Sequence, residues 1–104
     1  MVRMTDIVKS KNDVNIRMNE ERWFHIIENH DEVAGYYDHV LECIENPDII
    51  IKGYNNALIA LKKILNEKFL AVIYKETDKI DGFVITAYFT SKIKLEREEI
   101  LWKK

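Results

Sequence analysis

Two hydrophobic patterns organise this chain. From Phe83 to Thr90 the residues run Phe-Val-Ile-Thr-Ala-Tyr-Phe-Thr. A strand sends alternate side chains to opposite faces, so Phe83, Ile85, Ala87 and Phe89 are expected on one face and Val84, Thr86, Tyr88 and Thr90 on the other. The first face is apolar, and the second carries three hydroxyls. Upstream the period is helical: Trp23, Ile26, Ile27 and His30 recur at a spacing of one helical face. Asn19 is a good N-cap for that helix, and Glu20 and Glu21 suit the positive end of its dipole. Asp31 reads as a second cap, opening a helix from about Glu32 to Glu45 with Val33, Tyr37, Val40, Leu41 and Ile44 as its buried stripe. Asn46-Pro47 ends it, because proline disfavours helical backbone in the residue before it.

The remainder reads as β structure. Val14 to Met18 alternates and predicts a short first strand, and Ile49-Ile50-Ile51 predicts another. Asn55-Asn56 signals a turn. The apolar run from Ala57 to Leu65 could pass for helix in its middle, but its context favours a strand. A turn at Asn66-Glu67-Lys68 leads into Phe69 to Tyr74, which is apolar on both faces and predicts a covered central strand. Asp78 to Gly82 turns into the Phe83–Thr90 strand. The expectation is an α+β domain over 14–94, with two N-terminal helices on one face of an antiparallel sheet of about four strands. Residues 1–13 read as an N-terminal tail and 95–104 as a charged C-terminal segment anchored by Leu95, Ile100, Leu101 and Trp102. The C-terminal segment or a second subunit would cover the other sheet face, so a homodimer is a further expectation.

Composition narrows the class. A chain of 104 residues, 47% hydrophobic and 33% charged, fits one globular domain. No apolar run approaches the roughly 18 residues that would suggest a membrane span. The N-terminal stretch has no apolar signal region, so a cytoplasmic location is expected. Cys43 is the only cysteine, which rules out an intramolecular disulfide or a cysteine-built zinc cage. The net charge of −2 argues against indiscriminate coating of nucleic acid. Charge is uneven, however. Acidic residues dominate from Glu20 to Asp48, and lysines dominate from Ile49 to Lys75. The chain is polarised if those halves form different faces.

Several short motifs occur in a fixed order: Arg22-Trp23-Phe24-His25-Ile26, His30-Asp31-Glu32, Asn46-Pro47-Asp48, and Ile85-Thr86-Ala87-Tyr88-Phe89. Together they resemble the phage-associated branch of the barnase–EndoU–colicin–RelE nuclease superfamily, over about Val14 to Lys94. The resemblance implies helices packed on a four-stranded antiparallel sheet and metal-independent RNA cleavage by a toxin or phage-derived effector. It implies no cofactor, RNA as the substrate, and an antitoxin or immunity protein as a partner. Carried over by position, its candidate catalytic residues are Arg22, His25, His30, Thr86 and Tyr88.

The chemistry suits those residue types. RNA cleavage without metal needs a base for the 2′-hydroxyl, an acid for the leaving 5′-oxygen, and cations or donors for the phosphorane. Imidazole serves the first two near neutral pH. Arg22, Lys62 or Lys63 would serve the third, and Thr86 and Tyr88 would hold a phosphate oxygen or orient an imidazole. His25 and His30 point about 140° apart on a regular helix, which does not clamp one metal. On pattern alone His30 reads as a hydrogen-bonded core residue closing the helix, and His25 as solvated surface or catalytic. Thr86 and Tyr88 read equally as ordinary strand formers. Lys62-Lys63 reads equally as a strand end that discourages aggregation. Two other classes stay open: an inert RNA-binding module, and a dimeric interaction protein.

Overall fold

The computed structural model describes residues 5–65 and 68–104. Strands β1 (Thr5–Lys9) and β2 (Asn15–Asn19) form an antiparallel hairpin. Helices α1 (Glu20–Asn29) and α2 (Tyr37–Glu45) follow. The chain then forms β3 (Ile49–Lys52), β4 (Leu58–Leu65), β5 (Lys68–Glu76), β6 (Asp81–Thr90) and β7 (Ile100–Lys103). All seven strands belong to one sheet in the order β1-β2-β6-β5-β4-β3-β7. The β2–β6 pair is parallel and every other pair is antiparallel.

This corrects the expected four-stranded antiparallel sheet. Two of the added strands come from segments that read as tails. β1 (Thr-Asp-Ile-Val-Lys) and β7 (Ile-Leu-Trp-Lys) pair on one side only and are short, and shortness is one way a sheet edge is kept from recruiting other chains. Each is too short, and too close to charged neighbours, to stand out as a strand in a hydrophobic reading. The parallel β2–β6 pairing carries no local signal at all. It joins Ile16 to Gly82 and Arg17 to Phe83. Gly82 is required there, since a Cβ would collide with the Lys75 carbonyl and the Ile16 side chain.

Both helices are built as their ends dictate. The Asn19 side chain accepts from the Arg22 backbone N–H at 2.7 Å, capping α1. The single helix expected over Glu32–Glu45 is instead a 3₁₀ turn (Asp31–Val33) followed by α2. Gly35 lies in the break, where continued helix would cost about 1 kcal/mol relative to alanine. Asn46 caps the end of α2 before Pro47, its N–H donating to Glu42. Between β3 and β4, Asn55 and Asn56 adopt φ of 53° and 64°, a backbone region asparagine tolerates better than most residues. The turn expected at Asn66-Glu67 lies outside the described residues.

β5 sits at the centre of the strand order and is buried on both faces. On the helix side Leu70, Val72 and Tyr74 pack with Ile16, Met18, Ile26, Val40, Cys43, Ile44, Val84 and Ala87. On the other side Ala71 packs with Ile49, Ile51 and Leu61, under Ile93 and Leu95 of the segment before β7. The sheet also curls around α2: Lys11, in the hairpin at one margin, lies over the Trp102 ring of β7 at the other, 5.1 Å from its centroid. No helix among the described residues is long and apolar enough to cross a membrane.

The strict alternation expected along β6 is interrupted. The register with β5 shifts between Ile73 and Tyr74: Ile73 pairs with Thr86 but Tyr74 with Val84, leaving Ile85 as an extra residue. Val84 and Ala87 therefore share the helix-facing core. Phe83 changes sides and joins Thr86, Tyr88 and Thr90 on the opposite face, correcting the expected partition. This bulge sets the geometry of the site below.

Candidate functional site

The β2–β6 pairing ends at Arg17 and Phe83. Beyond that point the chain turns from β2 into α1, and the helix takes the place of a neighbouring strand along the rest of β6. Arg22, in its first turns, donates from Nη1 to the Ile85 carbonyl at 3.4 Å. That carbonyl belongs to the bulged residue, whose backbone is not fully used by β5. At the far end of α1 the His30 ring lies 5.5 Å from that of Tyr88, tilted by 33°. A helix on a sheet face would have to send a histidine around an edge to meet Tyr88. Here the helix stands at that margin already.

Three of the five candidate catalytic residues meet in one cleft. Arg22 and His25 from α1 and Thr86 from β6 line a cavity of about 170 Å³, together with Ile26, Asn29 and Ile85. Arg22 also lines a second and larger cleft of about 470 Å³ with Thr5, Arg17, Asn19, Phe83 and Val84. The two clefts share Arg22, and together they form a groove with two guanidiniums, an imidazole and two threonines. Arg17 is held by Asp81 at 2.7 Å and stays half exposed. His25 and Arg22 are exposed, and Thr86 is half-buried.

His30 and Tyr88 form the adjoining pair rather than part of the cleft lining. His30 is half-buried, not the enclosed core residue its spacing suggested. Its Nδ1 lies 3.8 Å from a Glu32 carboxylate oxygen. Its backbone N–H closes α1 by donating to Ile26.

Lys62 and Lys63 lie elsewhere. Lys62 donates to the Asn46 carbonyl at 2.7 Å and lies 3.6 Å from Glu42. It thereby neutralises the negative end of α2. Lys63 pairs across β4–β5 with Phe69, which in turn pairs with Thr90. Neither lysine lines the groove. Sequence reasoning also overlooked Arg17, Phe83 and Asn29. The polar position of Arg17 was visible in the alternation of β2, but only the parallel register sets it beside Phe83.

The single thiol plays no part in this chemistry. Cys43 is fully enclosed, with Sγ directed at the carbonyls of Ala60 and Leu70 at 3.4 and 3.6 Å. Burial pushes its ionisation far above the ordinary thiol range, so it is a packing residue. Among the described residues no three His, Cys, Asp or Glu side chains converge as metal ligands.

No family model, curated protein or solved structure matches the chain. The functional reading therefore rests on the geometry of this groove.

Proposed function

We propose that the chain is a metal-independent endoribonuclease whose RNA backbone lies along the groove between α1 and β6. The observation that supports this is the convergence of Arg22, His25 and Thr86 on one cleft that continues past Arg22 to Arg17. His25 takes the proton from a 2′-hydroxyl, whose oxygen attacks the adjacent phosphorus. Arg22 and the Thr86 hydroxyl hold the non-bridging oxygens as negative charge builds on the phosphorane. The bond from phosphorus to the 5′-oxygen breaks, and His30, oriented against Tyr88 and Glu32, delivers the proton to that oxygen. The products are a 2′,3′-cyclic phosphate and a free 5′-hydroxyl. The exposed Phe83 ring beside Arg17 offers a stacking surface to a neighbouring base.

The test is incubation of labelled single-stranded RNA and tRNA with the protein in EDTA. Wild type should give cyclic-phosphate ends and leave a substrate with 2′-deoxyribose at the cleavage position intact. His25→Ala and His30→Ala should each lower kcat/KM by about 10²–10⁴-fold while the circular dichroism spectrum stays unchanged. If folded wild type cleaves no RNA between pH 5 and 9, the nuclease reading fails. Salt-dependent RNA binding without product would then assign the groove to recognition alone.

A further inference from the structure

The other flank of α1 has a different chemistry. Glu20, Trp23 and Phe24 of α1, with Asp6 of β1 and Tyr37 of α2, line a separate cavity of about 280 Å³. The Trp23 and Tyr37 rings meet edge to face with centroids 4.9 Å apart. Phe24 is 51% exposed. The Tyr37 hydroxyl donates to Asp6 Oδ2 at 2.5 Å, so Oδ1 keeps its capacity to accept. Burial, and then the Asp6 carboxylate, push the Tyr37 phenol far above its ordinary range, so it remains a neutral donor there. The Asp38 charge reaches the same hydroxyl.

Three aromatic rings and two carboxylates around one opening select strongly among ligands. A phosphate would meet Asp6 and Glu20 and be repelled. A neutral apolar ligand would strip water from both carboxylates and return nothing for it. A cation gains from the ring quadrupoles and from the carboxylates together. A guanidinium gains most, because its plane stacks on an aromatic ring while its edge presents a fork of N–H donors to a carboxylate.

We propose that this pocket binds an arginine side chain presented by a basic segment of a partner protein. The site is distinct from the α1–β6 groove and does not depend on the nuclease reading. Glu20 and the free oxygen of Asp6 accept from the guanidinium, and Trp23, Phe24 and Tyr37 enclose its aliphatic stem and its plane.

The experiment is a nuclear magnetic resonance titration of the isotope-labelled chain with the peptide Gly-Gly-Arg-Gly-Gly. Its comparators are the same peptide carrying citrulline or lysine, and the small cations tetramethylammonium and spermidine. Citrulline keeps the shape and the plane but removes the charge. The arginine peptide should shift the Trp23 indole and the Phe24 and Tyr37 resonances saturably. The citrulline peptide should bind at least tenfold more weakly, and the lysine peptide more weakly than arginine. Glu20→Gln and Phe24→Leu, both at the helix surface, should each weaken the arginine peptide at least threefold in a chain whose spectrum stays dispersed. Equal binding of the citrulline peptide would overturn the proposal. So would saturable shifts confined to residues outside the pocket, the lack of any saturable shift, or tighter binding of a small cation than of the arginine peptide.

Discussion

The two flanks of α1 lie on one short helix and are opposite in character. One carries Arg22, His25 and Asn29 against the β6 margin. The other carries Glu20, Trp23 and Phe24 against β1 and α2. Between them Ile26 is buried in the core, with Trp23 and Ile27 packed at its rim. A helix laid flat across a sheet offers one outward face. This helix sits at a margin, because the parallel pairing of β2 covers only the first three residues of β6 and the helix continues where the pairing stopped. Both of its flanks then border open clefts. Which sign of charge each cleft carries follows from what faces it: backbone carbonyl and hydroxyl on the β6 side, and the Asp6 carboxylate with a neutral phenol on the β1 side.

The sharpest way to break this comparison is Arg22→Ala. Its guanidinium is shared by both parts of the groove and donates to the Ile85 carbonyl. Losing a preorganised donor to the phosphorane should lower kcat/KM on RNA by about 10²–10³-fold. The log–log salt dependence of RNA affinity should flatten by about 0.7, the value for one phosphate contact on a single strand. Arginine-peptide affinity on the other flank should stay within about twofold. If both ligands weaken together, the flanks are not separate sites.

Asn19→Ala tests what the flanks share. The Asn19 side chain caps the Arg22 N–H, and removing it should cost about 0.5–2 kcal/mol of stability in urea unfolding. The first turn of α1 carries both Glu20 and Arg22, so its fraying should weaken both sites by similar factors. Selective loss on the RNA side would instead give the Asn19 side chain, which lines the Arg17 cleft, a direct role in binding.

The α1 side of the candidate groove was legible, because helices and caps are written locally. The stripe Trp23, Ile26 and Ile27 and the Asn19 cap place α1, and the α1 period alone puts Arg22, His25 and Asn29 along one side of it. The continuous apolar run of β5 places a central strand. What was not legible depends on partners distant in sequence. Nothing near Arg17 announces that it will lie beside Phe83, since a parallel register is set by the whole sheet. The bulge at Ile85 arises where β5 and β6 adjust to one another, and it moves Phe83 to the other face against an alternation that is clean on paper. β1 and β7 hide because strands of five and four residues among charged neighbours give no period to read. His30 follows the helical period onto the apolar stripe but is the C-cap just beyond α1, where the helix ends and the side chain reaches the margin instead. The aromatic pocket was overlooked for a related reason. Trp23 and Tyr37 look like core residues by period, and Asp6 belongs to a segment that read as a tail.

Tyr37→Phe sharpens the comparison through pH. The Tyr37 phenol ionises at 10.0 when unperturbed and higher in the folded chain, through burial and the Asp6 carboxylate. A folded value raised above the unfolded one contributes stability that is fully present below pH 10 and is lost as pH rises through the folded value. The urea midpoint of wild type should therefore fall above about pH 10, and that of Tyr37→Phe should fall less steeply. A residual slope should persist, because burial raises Tyr74 and Cys43 in the same direction. At neutral pH the substitution removes the hydrogen bond to Asp6 and should cost about 1 kcal/mol. It also frees the second Asp6 oxygen to accept from a guanidinium, so the arginine peptide should bind as well as to wild type or better. RNA cleavage should not change. An identical alkaline slope in the two proteins would mean that the phenol is not held neutral by its surroundings. Weaker arginine binding would mean that the hydroxyl orients Asp6 for its ligand rather than competing for it.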